Sequence, residues 1–319
     1  MHMNEMPFPP PDTVLEAAQQ GVEHIYRYAD FADMRMLEKK LSEYSGVAED
    51  RIFLSPGSDI ILKEIILLFA RERRLVLVSP SFLPTTQTAR QSADTIINLR
   101  LQPPDFSLNQ EHLLQEAREP SLIIIENPNN PTGRILMDRS IIEEVLANQD
   151  ALLVVDEAYF EFSGMTCADM VSHYPNLAVT RTLDKAFSLA GMRVGYVLAG
   201  DRFIEAFTAF NTILPQPGLR AAMAALEDSE YSMENIHLIK RERLRMRKEL
   251  SALGISTVDS TTNFILISTE YPDMSRRLEE RGILVADVSS QLPIGFIRVT
   301  VGTEEENSVF LDEMRKIAI

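Results

Sequence analysis

Apolar residues along this chain gather in short runs that stop at polar clusters. Leu75–Ser79, Leu122–Glu126, Ala151–Val155 and Leu177–Val179 are apolar almost throughout. Such runs lack the alternation of a half-exposed strand and are too brief for a helix, so they predict strands covered on both faces. Arg51–Leu54, Asp94–Leu101 and Val194–Gly200 read as further strands. Between them the spacing turns helical: Met34, Leu37, Leu41 and Tyr44 share one face, and Gly46 closes that helix. Ile60–Phe69, Glu111–Arg118, Asp138–Ala147 and Phe203–Phe210 read as helices too. Strand alternating with helix predicts an α/β fold around a mostly parallel sheet sandwiched by helices.

The two ends depart from that rhythm. Asn4–Pro11 is proline-rich and reads as an extended arm, followed by a short helix over Asp12–Gln20. Beyond a proline-bearing loop at Leu214–Gly218, read as a hinge, a charged helix spans Ser232–Leu253. Its Lys240-Arg241-Glu242-Arg243 run predicts a solvated face. Strands at Asn263–Ile267, Ile283–Val285 and Phe296–Val301 then alternate with helices at Met274–Arg281 and Glu304–Ile317, an α+β module. The chain thus divides into an arm (1–28), a large domain (29–215) and a small C-terminal domain (216–319), with the arm expected near the small domain.

Composition narrows the class. The 319 residues, nearly half of them apolar, suffice for a large core and a smaller partner domain. No apolar run is long enough to cross a bilayer, and the N-terminus lacks a basic stretch followed by an apolar one. The single cysteine, Cys167, suits a reducing compartment, so a cytoplasmic location is expected. A net charge of −16 argues against nucleic acid as a partner. The five histidines show no ligand-like spacing, and no metal site is expected.

Candidate chemistry lies at the carboxyl ends of the predicted strands, where open α/β sheets place ligands. Asn127-Pro128-Asn129-Asn130-Pro131-Thr132-Gly133 follows one strand, and Asp156-Glu157-Ala158-Tyr159 follows the next. Arg181-Thr182-Leu183-Asp184-Lys185 follows a third, with Arg193 eight residues beyond the lysine. A lysine held among apolar neighbours loses hydration of its charged form and becomes nucleophilic, as Schiff-base chemistry requires. Pro56-Gly57-Ser58-Asp59 at a helix start offers backbone N–H groups to an anion. Each cluster also has a plainer reading: a solvated lysine, a turn-rich loop, a helix cap, or a tyrosine at a sheet edge.

Taken together, the order Asn…Asp…Tyr…Lys…Arg on successive strand ends resembles fold-type I enzymes that use pyridoxal 5'-phosphate. The wording TLDKAFSLAGMRVGY and DEAYFEF resembles the histidinol-phosphate aminotransferase family over nearly the whole chain. The resemblance implies a homodimeric aminotransferase exchanging an amino group between an amino acid or similar amine and a 2-oxo acid such as 2-oxoglutarate. It implies that Lys185 carries the cofactor and moves the proton, Asp156 pairs with the ring nitrogen, and Asn130 and Tyr159 meet the phenolic oxygen. Ser58, Asp59, Thr182 and Arg193 would hold the phosphate, joined by Tyr28 from the partner subunit. Phe82 would stack on the ring where the family usually has tyrosine, and Arg298 would receive the substrate's carboxylate or phosphate.

Two departures bear on this reading. Asp184 replaces the family's serine, so a carboxylate faces the expected phosphate, repulsive unless it points away or a cation intervenes; weaker cofactor affinity is expected. Ala286 stands where the family commonly has a second arginine gripping phosphorylated substrates, which bears against histidinol phosphate itself. Two alternatives remain open on the same scaffold: a decarboxylase of a phosphorylated amino acid, and a non-catalytic binding protein. Glu157 and Glu161 are read as structural.

Overall fold

A computed structural model of the protein describes residues 1–208 and 212–318. The strands are β1 (Ile52–Ser55), β2 (Arg74–Ser79), β3 (Ile96–Arg100), β4 (Ser121–Glu126), β5 (Ala151–Asp156), β6 (Leu177–Thr182) and β7 (Gly195–Ala199). They form one sheet in the order β3-β2-β4-β5-β6-β7-β1. β3, β2, β4, β5 and β6 pair in parallel, while β7 runs antiparallel to both β6 and β1. The carboxyl ends of β1, β2, β4, β5 and β6 therefore share one edge of the sheet.

The continuous apolar runs are explained by burial on two faces. Leu122 and Ile124 of β4, Leu152 and Val154 of β5, and Val197 of β7 face one layer. That layer is built on Ile61, Leu62, Ile65 and Ile66 of the helix Ser58–Phe69. Ile123, Ile125, Leu153 and Val155 face the other core. Removing each such side chain from water contributes about 1.5–3 kcal/mol. Beneath the edge, Arg181 donates to Glu157 through Nε and Nη2 at 2.9 and 2.8 Å and lies over the Phe160 ring at 3.7 Å. Both ionic groups are buried, so removing either alone strands a charge at a cost of about 3–5 kcal/mol.

A second, antiparallel sheet, ordered β10-β11-β9-β8, comprises β8 (Ser256–Thr257), β9 (Phe264–Ser268), β10 (Ala286–Asp287) and β11 (Phe296–Thr300). The N-terminal arm docks on it: Thr300 donates to the Met1 carbonyl, Asn4 N–H to Thr300 Oγ1, and Asn263 Nδ2 to the Asn4 carbonyl.

Several sequence expectations are corrected. The proposed hinge at Leu214–Gly218 is the start of a helix, Gln216–Glu227, because Pro217 sits in the first turn, where its missing N–H costs nothing. The helix Leu83–Ser92 has no counterpart in the sequence reading. Its β-branched threonines disguise it, and tertiary burial of Thr85 and Ala89 holds it. The strand expected at Ile283–Val285 pairs one step later, as Ala286 and Asp287 against Arg298 and Ile297. In the helix Ser229–Ala252, Arg241 is exposed as expected, but Glu242 and Arg243 of the same charged run are buried while Leu244 is 61 % exposed. Arg243 donates to the Thr262 carbonyl, and Glu242 accepts from Arg245 and Asn307. Of the helix read over Phe203–Phe210, the structure shows Asp201–Thr208; Ala209 and Phe210 lie outside the described residues.

Candidate active site

The shared strand edge opens onto a cavity of about 300 Å³ between the two sheets. It is lined by Ser58, Asp59, Phe82, Asn130, Asp156, Tyr159, Thr182, Lys185, Arg193 and Arg298, residues spread over 240 positions of sequence. Met3, Asn4, Glu126, Ala158 and Asp184 complete the lining. Tyr28 lies outside it and is 86 % exposed.

Asp156 and Glu126 end neighbouring strands and stand in register. Burial pushes the Asp156 carboxyl up to about 6, against a 2.8 Å hydrogen bond from Thr180 and one from the Ala158 N–H. Burial pushes Glu126 up to about 7, opposed by its donors and helped by the charge of Asp156. Glu126 accepts from Ser81 Oγ at 2.5 Å, Phe82 N–H at 3.0 Å, Asn129 Nδ2 at 3.2 Å and Asn130 N–H at 3.4 Å. One carboxyl group thus brackets the Ser81–Phe82 turn to the Asn129–Asn130 turn.

The Asn-Pro turn is also pressed against the small sheet. Gly133 has φ +76, and a Cβ there would meet Ser260 Oγ at 2.3 Å, so only glycine fits. Across the cavity, Arg298 of β11 donates from Nη1 to Asn130 Oδ1 at 2.6 Å and from Nη2 to the His2 carbonyl at 2.7 Å. Its Nε is buried without a partner. Burial holds this guanidinium below its usual range. Phe264 packs between Arg298 and Tyr159, with the guanidinium 5.4 Å from its ring.

Lys185 is half-buried and donates from Nζ to the Met3 carbonyl at 3.3 Å. Tyr159 Oη accepts from Asn4 Nδ2 at 2.9 Å. Thr182 Oγ1 accepts the Asp184 N–H and donates to the Val194 carbonyl. Asp59 does not cap its helix; it accepts from Arg193, whose other terminal nitrogen donates to Asp184.

The same end of the cavity has the shape of an anion cradle. Gly57 has φ +101, and a Cβ there would strike the Arg193 guanidinium. A Cβ on Gly195 would lie 2.4 Å from Gly57 C and Ser58 N. The loop therefore lies flat on β7, presenting the start of the helix Ser58–Phe69 beside Arg193. A lysine, a buried carboxylate beneath, an amide, a phenol and an anion cradle around one cavity fit pyridoxal phosphate.

Fold and cavity together define a fold-type I enzyme dependent on pyridoxal phosphate. The family aminotransferase class I and II matches residues 1–314, and the chain belongs to that family. It is an aminotransferase, with pyridoxal phosphate as the family's cofactor. Its sequence is 32% identical to a histidinol-phosphate aminotransferase of Sulfurisphaera tokodaii, covering 99% of this chain and 89% of that one. The solved histidinol-phosphate aminotransferase of Clostridium acetobutylicum has the same fold, with TM-score 0.90, 23% identity, and 99% and 98% of the two chains covered. The L-threonine-O-3-phosphate decarboxylase of Porphyromonas gingivalis also shares the fold, with TM-score 0.85, 21% identity, and 99% and 98% covered.

Met3, Asn4, Glu126 and Ala158 are the lining residues that sequence reasoning missed. Glu126 carried a signal: a carboxylate ending an all-apolar strand, immediately before the Asn-Pro turn. Asn4 carried none beyond membership of the proline-rich arm.

Proposed function

We propose that this aminotransferase works on amines bearing one anionic group, returning the amine to a 2-oxo acid such as 2-oxoglutarate, with Lys185 as the base and Arg298 as the anion receptor. The observation that carries it is the pairing of Lys185 and Arg298 across one cavity. Among the described residues both donate to backbone carbonyls or an amide, and neither has an ion-pair partner.

A buried guanidinium with an unfilled Nε awaits an anion, and its fixed fork aligns a carboxylate for two parallel hydrogen bonds. That grip fixes the donor amine relative to Lys185, so positioning contributes to rate. Lys185 Nζ then carries the α-proton as general base and returns it as general acid. Asp156 would hold negative charge against a cationic ring nitrogen, and Asn130 with Tyr159 would flank the phenolic oxygen. Ser58, Thr182 and Arg193 would hold the phosphate, and Phe82 would cover the ring. When bound, pyridoxal phosphate supplies the electron sink that lets the α-proton leave.

Ala286 lies directly across from Arg298 in the β10–β11 register. A second guanidinium is therefore missing beside the first, which favours a carboxylate over a phosphorylated amine. Val22, Ile25, Tyr26, Tyr28 and Phe31 are 52–86 % exposed along one stretch, which supports a homodimer with Tyr28 reaching the partner's site. The two sheets and the docked arm support the division into 1–28, 29–215 and 216–319, and the reading includes a cytoplasmic location.

The test is the absorption spectrum of the loaded protein. L-Glutamate should abolish its yellow band and 2-oxoglutarate should restore it. A spectrum indifferent to a panel of amino acids and histidinol phosphate would overturn the reading.

A further inference from the structure

We infer that Asp184 is a proton-linked gate on cofactor loading: the phosphate dianion settles at Arg193 only as the Asp184 carboxylate takes up one proton from solvent. The inference rests on the reading that pyridoxal phosphate binds in this cavity.

Asp184 immediately precedes Lys185, and its carboxylate accepts from Arg193 Nη1 and, at 3.2 Å, from the Val194 N–H. Arg193 Nη2 donates to Asp59, whose other oxygen lies 3.8 Å from Lys63. Two carboxylates therefore hold one guanidinium before any anion arrives. Both terminal nitrogens of Arg193 are thus engaged, and a dianion entering beside Asp184 meets a like charge.

The two carboxylates are not equivalent. Asp59 keeps Lys63 and sits in the first turn of a helix, where the macrodipole favours negative charge. Asp184 is the more buried of the two, with side-chain exposures of 7 and 25 %. Burial pushes its carboxyl up, against the opposing charges of Arg193 and Lys185 and the hydrogen bond from the Val194 N–H. The proton therefore goes to Asp184. Neutral Asp184 releases Arg193 to the phosphate and can itself donate an O–H, the service a serine hydroxyl would give at this place. Unloading returns the proton to solvent.

The experiment is equilibrium dialysis of the full chain, stripped of cofactor, against pyridoxal phosphate and separately against pyridoxal. Above about pH 7 the phosphate is a dianion and does not itself titrate. The ratio of the two affinities cancels whatever happens at Lys185 and isolates the phosphate end. In the native chain that ratio should fall as pH rises from about 7 to about 9, with a limit of tenfold per unit. Asp184→Ser and Asp184→Asn should both flatten it, and Asp184→Ser should bind pyridoxal phosphate at least about tenfold more tightly than the native chain at the upper pH. A flat ratio in the native chain, or an unchanged slope in both variants, overturns the gate while leaving the cofactor reading intact. Failure of the native chain to bind pyridoxal phosphate at any pH removes that reading and the gate with it.

Discussion

Glu126→Gln separates the two things the buried Glu126 carboxyl does. In the native protein burial raises it from 4.5 to about 7. A carboxyl raised on folding leaves stability intact below its unfolded value and removes it as pH rises through the folded value. The loss here runs from about pH 4.5 to about pH 7 and totals about 3 kcal/mol, at 1.36 kcal/mol per unit. Glutamine has no charge to desolvate and escapes that loss. Its amide nitrogen, however, must replace one oxygen that now accepts from Asn129 Nδ2 and Asn130 N–H. Setting a donor against two buried donors costs about 1–3 kcal/mol for each left unsatisfied. The variant should therefore be clearly less stable than the native protein near pH 5 and close to it near pH 8, where the two effects offset. Urea unfolding at both values checks this, read as the shift in midpoint at constant slope. The gap between the two proteins should change by roughly 2–3 kcal/mol across that window. An equal gap at both pH values would refute the reasoning, because it would show that folding does not raise the Glu126 carboxyl above its unfolded value.

Arg298→Lys removes the fork and leaves the charge; kcat/KM for carboxylate donors should fall by about a hundredfold or more, chiefly through KM, in steady-state assays. Ala286→Arg, directly across from Arg298, should raise kcat/KM for histidinol phosphate about tenfold or more relative to a carboxylate donor, measured by competition. Asn4 has φ +55 and donates to Tyr159, so Asn4→Gly should lower kcat/KM about tenfold with little strain, whereas Asn4→Ala should lose a further 1–2 kcal/mol or so of stability in thermal unfolding.

Much of the site was legible because its motifs are local. A strand buried on both faces must read as an apolar run, so its end, where Asp156 or Thr182 stands, can be found from pattern alone. The parallel topology then brings those ends to one edge, which sequence reasoning foresaw by resemblance and the sheet order bears out. Tertiary structure alone decided what crosses the cavity. Arg298 and Asn130 are 168 residues apart in sequence, and nothing local to either announces their hydrogen bond. The strap of Met3 and Asn4 over Lys185 and Tyr159 joins the chain's beginning to residues more than 150 positions away. The helix charges at Glu242 and Arg243 looked solvated because periodicity reports which residues dislike water, whereas their burial depends on partners at Thr262 and Asn307. Asp184 shows both sides at once. Its identity signalled a conflict with an anion, but only the fold reveals that Arg193 is shared between it and Asp59, since long-range electrostatics is a property of assembled positions.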